Sequence, residues 1–533
     1  MKLTSFKIII TALIAVTIIP GCSKKLDLEP TNSVTNASLF TSEAGYKQAL
    51  AKVYSSLALI GPNGPNGAGD LPSQIISDAG SSDFFRNFWY LQCLSTDEAG
   101  WTYSNNTDPL DIHQMNWSSG NFAVKCVYYR LFYAVTLCNN FITESSDANL
   151  SSRNITGTDA DKVRLYKEEA RFIRAYSYWA LMDLFGNPPF ITETTAIGSV
   201  SFPPQISRKD LFDYLKKELE ALEVSLPAPK ANEYGRVDQA AAWALLARMY
   251  LNAEVYTGTA RNTEAITYCK KIIGAAYTLH GNYKELMLAD NHLNTDEFIW
   301  TLRYDGINSQ NYGGTTFLVH GPAGYSADSS GLNGTWGCIR FPEQFVDMFD
   351  AADIRGQFWT GGQQKIMTTL LGNSTHGYSS SKFRNKTRTG GPAPHLDNDR
   401  NYSDIDMPIF RLAEIYLIYA EAVIRGGSGG DNTTALNYLK DLAIRARPTD
   451  PAAASYPTLT LPYIIKERGR ELFWEGHRRT DLIRFNQFTT NAYLWAWKGG
   501  IFSGTAVDAK YNLYPIPDVD LTANPNLHQN TGY

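Results

Sequence analysis

Arg86, Trp101, Tyr103 and Asn106 lie close together in a stretch, 61–118, that shows little hydrophobic periodicity. An aromatic plane can cover the C–H face of a polyhydroxylated ring, and guanidinium and amide groups can bond its hydroxyls. Asp78 and Asp83 would add hydroxyl acceptors. Each residue also has a plain structural reading. Trp101 follows Asp97-Glu98-Ala99-Gly100 and could be a core ring, and Arg86 could simply pair with Asp83. Phe84, Phe85, Phe88, Trp89 and Tyr90 are too densely spaced to be all exposed, and most of them are assigned to the core.

Chemistry of other kinds finds less support. Asp97 and Glu98 are neighbours, and adjacent carboxylates seldom flank one glycosidic bond. The chain has no H-E-x-x-H or P-loop motif. Its eight His make no H-x-x-x-H pair and its six Cys no C-x-x-C, so neither a metal site nor a cofactor is expected. Cys126 and Cys138 could pair if the fold allowed it, but most of the thiols read as small buried apolar groups. A net charge of -5 and a pI near 6.0 provide no basic field for nucleic acid.

The elements that must position such residues are mostly helical. Ile173, Tyr176, Ala180 and Leu184 share one helix face, which ends at Phe185-Gly186-Asn187-Pro188-Pro189. Leu211, Leu215, Leu219 and Leu222 repeat the pattern. Ala240, Ala244 and Ala247 form a small-residue stripe opposite Ala265, Ile266, Cys269 and Ile272. Leu412, Ile415, Tyr419 and Val423 are answered by Ala435, Leu439 and Leu442. Such pairs predict a mainly α fold, a tetratricopeptide-like helix-pair scaffold, carrying long aromatic-rich loop insertions at 61–118 and 276–410. In residues 467–485, nine charges in nineteen residues surround Leu472, Phe473 and Trp474. A helix over Pro462–Glu475 is expected there, with Arg468–Glu471, Glu475 with Arg478 or Arg479, and Asp481–Arg484 pairing at helical spacing; the stretch reads as scaffold.

The beginning of the chain reads as an address. Lys2 and Lys7 precede a twelve-residue apolar run, Ile8–Ile19, too short to span a bilayer stably, and Pro20-Gly21-Cys22 follows. This is similar to a bacterial lipoprotein signal over 1–21, with lipid attached to Cys22.

"FRLAEIYLIYAEA" (410–422), "IIKERGRELFWEGHRRTDLIRF" (464–485), "LYPIPDVDLTANPNLHQNTGY" (513–533), "EEARFIRAYSYWALMDLFGNPPF" (168–190) and "RVDQAAAWALLARMYLNAEVY" (236–256) resemble signatures of the SusD/RagB family, in order along the mature chain. The resemblance implies an α-helical outer-membrane lipoprotein that binds glycans at the cell surface and hands oligosaccharides to a SusC-like TonB-dependent transporter, with no catalysis. It implies an N-terminal region at 22–230, a tetratricopeptide-like helix pair at 231–275, and a C-terminal region at 276–533 whose ligand-binding loops lie at 276–410. Arg86, Trp101, Tyr103 and Asn106 fall at what looks like the spacing of the family's starch-binding member, where both aromatics are tryptophan; Tyr103 departs from it. Tyr312 and Trp336 fall where that member supplies its other stacking rings, although "WGCIRFPEQFVDMFD" also reads as the start of a packed element. Starch or malto-oligosaccharide is thus among the expected glycans. A helical-repeat scaffold that binds protein at the outer membrane, without touching glycan, is the alternative.

Overall fold

The computed structural model describes residues 36–195, 202–322, 324, 326–372 and 375–533. The proposed signal and Cys22 lie outside them.

Capping side chains set where the helices start. Asn121 accepts from the amides of Ala123 and Val124 to open Phe122–Glu144, and Asp238 accepts from those of Ala240 and Ala241 to open Gln239–Leu251. Ser207 and Asp431 do the same for Arg208–Ser225 and Asn432–Ala446. The helix Gly157–Phe185 stops at Gly186, which takes φ +72°. Ile173, Tyr176, Ala180 and Leu184 are all buried along it.

The alanine stripe works as its spacing predicts. Gln239–Leu251 packs on Asn262–Ile273, and Ala240, Ala244 and Ala247 are fully buried between neighbours. Asn262–Ile273 in turn packs on Leu412–Ile424, which packs on Asn432–Ala446. The helix pairs separated in sequence by 276–410 are therefore contiguous in space. The insertion is closed at its base by strand Phe298–Leu302, which pairs antiparallel with Met407–Arg411. Its loops are thus held on a rigid stack.

Two expectations need correction. Helix Leu461–Leu472 ends earlier than predicted: Trp474 has φ +65° and Gly476 φ +82°, and a new helix runs Arg478–Arg484. The charges of this stretch are buried rather than arrayed along one helix surface. Asp481–Arg484 pairs as expected, but Arg468 also binds Asp481. Glu475 binds Arg411 and Lys382, and Arg478 binds Asp97. Glu471 receives Arg411, Arg445 and Arg355 together. Burial alone would push the Glu471 carboxyl up; the three guanidiniums instead hold it well below the usual carboxylate range. The stretch is scaffold, but it works as an ionic core that joins separate elements. Among the described residues the cysteines are free and buried. Cys126 and Cys138 lie twelve positions apart on one helix, about 18 Å at 1.5 Å per residue, and cannot pair.

Candidate functional site

The site begins at Asp83. Its carboxylate caps helix Phe84–Trp89 by accepting from the Arg86 amide at 2.9 Å, and it accepts from the Gly314 amide at 2.8 Å. A Cβ on Gly313 would come within 2.1 Å of Asp83, so glycine is needed for this approach. One buried side chain therefore fastens the 61–118 region to the 276–410 insertion. Burial pushes the Asp83 carboxyl up to about 6, against the two amides that favour its charged form. Asp83 is fully buried, so it positions the site and offers no acceptor to a ligand.

That junction brings Arg86 to Tyr312 and Trp336. The Arg86 guanidinium donates to the Tyr90 hydroxyl at 3.1 Å and to the Tyr312 carbonyl at 3.4 Å. It lies over Phe317 at 4.8 Å and Trp336 at 5.7 Å. Pairing with Asp83 is therefore not its role. Arg86, Tyr312, Trp336 and Asp78 line one open groove of about 620 Å³, together with the Pro65–Gly67 turn. Asp78 is exposed and caps the short turn Ala79–Ser81.

Trp336 is half-buried, and His320 supports it. The two rings stack at 4.8 Å with 7° between planes. His320 Nδ1 lies 2.6 Å from the Gly334 carbonyl, and Nε2 lies 2.9 Å from that of Asn401. Burial lowers the His320 pKa, which favours the neutral imidazole, against two carbonyls that favour the charged one.

Trp101 requires a correction. It is 2% exposed and presents no face to solvent. Trp101 pairs with Ile339 in a two-residue strand ladder, and its ring meets Tyr90 edge-on at 5.8 Å. The exposed ring of this segment is Tyr103, 38% exposed, whose edge packs on Trp101 at 5.9 Å. Thr102 bonds the Gly337 and Cys338 carbonyls, which places Tyr103 beside the Trp336 loop. Asn106 is exposed at the start of Thr107–His113, and its side chain makes no cap bond. Neither Tyr103 nor Asn106 lines the groove.

A second groove of about 760 Å³ adjoins the first and shares Tyr312 and Pro65–Gly67 with it. Its other wall carries Asp397, Asn398, Asp399, Asn401 and Tyr402, which sequence reasoning did not single out. The Asn/Asp density of "HLDNDRNY" was a signal, but nothing in its spacing pointed to a particular surface.

Asp97 and Glu98, the carboxylates weighed for glycoside chemistry, are buried. Asp97 binds Arg478 at 2.7 Å and accepts from the Tyr493 hydroxyl. Glu98 accepts from the Trp474 amide, and burial pushes its carboxyl up to about 8. Neither can reach a substrate. No cluster of metal-ligating side chains occurs among the described residues.

A helix-pair stack with an aromatic, amide-rich groove on inserted loops defines a class of open binding proteins. Solved structures share this fold. Surface glycan-binding protein A from Bacteroides fluxus has a TM-score of 0.67 at 21% identity, covering 92% of this chain and 100% of that one. The same-named protein from Bacteroides thetaiotaomicron, in complex with laminarihexaose, has a TM-score of 0.66 at 19% identity, covering 91% and 99%. The chain belongs to the SusD family. Residues 360–533 match the model described as "SusD family", and residues 73–251 match "Starch-binding associating with outer membrane". The chain is 35% identical to "Starch-binding protein SusD" of Bacteroides thetaiotaomicron, over 97% of this chain and 96% of that one. It is 22% identical to "SusD-like protein P25" of Formosa agariphila, over 96% and 97%. The family is non-catalytic, and the chain is not an enzyme.

Proposed function

We propose that this protein captures oligosaccharides at the cell surface, with malto-oligosaccharides as its first candidates, and passes them to a SusC-like TonB-dependent transporter. Arg86, Tyr312, Trp336 and Asp78 bind the glycan, Tyr103 and Asn106 flank it, and Trp101 supports Tyr103 from beneath. Lipid on Cys22 holds the chain on the outer membrane.

The observation that carries the reading is convergence. Asp78 and Arg86 come from one loop region and Tyr312 and Trp336 from another, yet they meet around one groove pinned by Asp83. Rings with polar neighbours on fixed loops are what a sugar surface requires. Likeness to a starch-binding relative and to a laminarihexaose-bound structure supports the ligand class.

The test is a panel of soluble glycans, read for both retention and cleavage by the purified protein. Retention of malto-oligosaccharides without cleavage is expected; no retention of any glycan would favour the protein-binding scaffold instead. For the anchor, Cys22→Ala should give an unprocessed or soluble form, and unchanged membrane partitioning of that variant would contradict it.

A further inference from the structure

The two grooves form one trough. They meet at Tyr312 and the Pro65–Gly67 turn, which line both. The first is built around the Trp336 ring and Arg86. The second offers amides and carboxylates, with Tyr402 5.4 Å from Tyr312 at its floor. Among the described residues, no Lys or Arg lines this second groove.

Both walls are fixed by the same side chain. His320 stacks beneath Trp336 and reaches the Asn401 carbonyl, thereby tying the ring of the first groove to the loop of the second. Asp397 accepts from the amides of Asn401 and Tyr402 at 2.8 and 3.0 Å, and the Asn333 side chain bonds Asn401. The Asn333 amide also bonds the Arg400 carbonyl. A loop so held needs little ordering when a ligand arrives, which favours its use as a binding wall.

We infer that the glycan site extends past Tyr312 into this second groove, and that the whole trough selects long, uncharged chains. This rests on the reading of the first groove as a glycan site. A short sugar fills the Trp336 groove alone. A longer one crosses Tyr312 and lays its hydroxyls against Asn398 and Asp399, both exposed on the far wall. Asp397 and Asp399 on that wall, with Asp78 at the other end, oppose a polyanionic chain through like-charge repulsion; among the described lining residues the one cation is Arg86 of the first groove, held on the Phe317 and Trp336 rings, and the second groove has none.

Calorimetric titration of the full mature chain with maltotriose and maltoheptaose tests this, in wild type and in the Asn398→Ala/Asp399→Ala double variant. These two residues are exposed, and neither caps the loop, so folding is expected to survive; a thermal melt verifies it. Wild type should bind maltoheptaose about 10-fold or more tighter than maltotriose. The double variant should keep maltotriose affinity and lose most of the length advantage. A hexagalacturonate should bind wild type at least about 10-fold more weakly than maltoheptaose. Equal affinity for the short and long sugars, a length advantage that survives the double substitution, or comparable hexagalacturonate binding would overturn the extended site while leaving the first groove intact. A wild type that binds neither maltose oligomer, while Trp336→Ala changes nothing on any glycan, overturns the underlying reading and this inference with it.

Discussion

His320 lies flat beneath Trp336, 4.8 Å away and 7° from parallel, with its two ring nitrogens directed at the Gly334 and Asn401 carbonyls. The ring proposed to meet the ligand is thus backed by a second ring that stands between the two neighbouring loops. His320→Ala should cost about 1–3 kcal/mol of stability, because it removes a buried ring and the hydrogen bond that its one N–H gives to the Gly334 or the Asn401 carbonyl. It should also weaken glycan binding although His320 itself is buried. Thermal melts and calorimetry on the same preparation check this; a variant that melts normally and binds at full strength would contradict the supporting role.

Trp101 and Trp474 should behave as core residues. Trp474 is fully buried, its indole N–H donates to the Glu98 carbonyl at 2.9 Å, and it meets Trp89 edge-on at 5.2 Å. Truncating either to alanine should cost about 3–5 kcal/mol. Tyr103→Ala, at an exposed position, should change stability by about 0.5 kcal/mol or less and reduce binding. Denaturant titrations would separate the two classes, and a Trp101→Ala protein as stable as wild type would show that this ring is not packed.

The ionic core at Glu471 gives a sharper number. Glu471→Gln leaves Arg355, Arg411 and Arg445 facing a neutral amide in the interior. Removing one partner from a buried ion cluster costs about 3–5 kcal/mol. Urea unfolding of the variant should show a lower midpoint. An unchanged midpoint would mean that the neighbouring carboxylates neutralise the arginines without it.

His113 sets a pH dependence. Its Nδ1 accepts from the Trp101 amide at 3.3 Å, and burial pushes its pKa down to about 3. The unfolded chain takes up this proton near 6.5, whereas the folded chain does not until about 3. Stability is therefore unaffected above 6.5 and falls as pH drops below it, by about 1.4 kcal/mol per pH unit from this group. His113→Gln removes the titration and retains an acceptor. Relative to wild type, the variant should gain about 2 kcal/mol between pH 7 and pH 5. A wild-type-to-variant difference that stays constant over this range would rule the effect out.

The helical stack was legible because apolar spacing is local. Ala240, Ala244 and Ala247 predicted their own close contact. The ladder that buries Trp101 was not legible: it is two residues long, too short for any period to register, and its partner Ile339 lies far along the chain. The charges of 467–485 were paired by helical spacing, which governs an exposed helix; in the interior Glu475 found Arg411 and Lys382 on other elements. Arg86, Tyr312 and Trp336 could be named together through family resemblance, whereas the Asp397–Tyr402 wall has no sequence period and becomes visible only once His320 and Asn333 fix its place.

The central claim is that the groove between Arg86, Tyr312 and Trp336 holds a glycan. Calorimetric titration of maltoheptaose into wild type and into the Tyr312→Ala/Trp336→Ala double variant tests it most directly. Both rings are only partly buried, so the variant should remain folded, and a few rings should carry most of the binding energy. The account predicts measurable binding by wild type and a loss of about 100-fold or more in the variant. Binding of equal strength by the folded double variant would place the glycan elsewhere on the molecule.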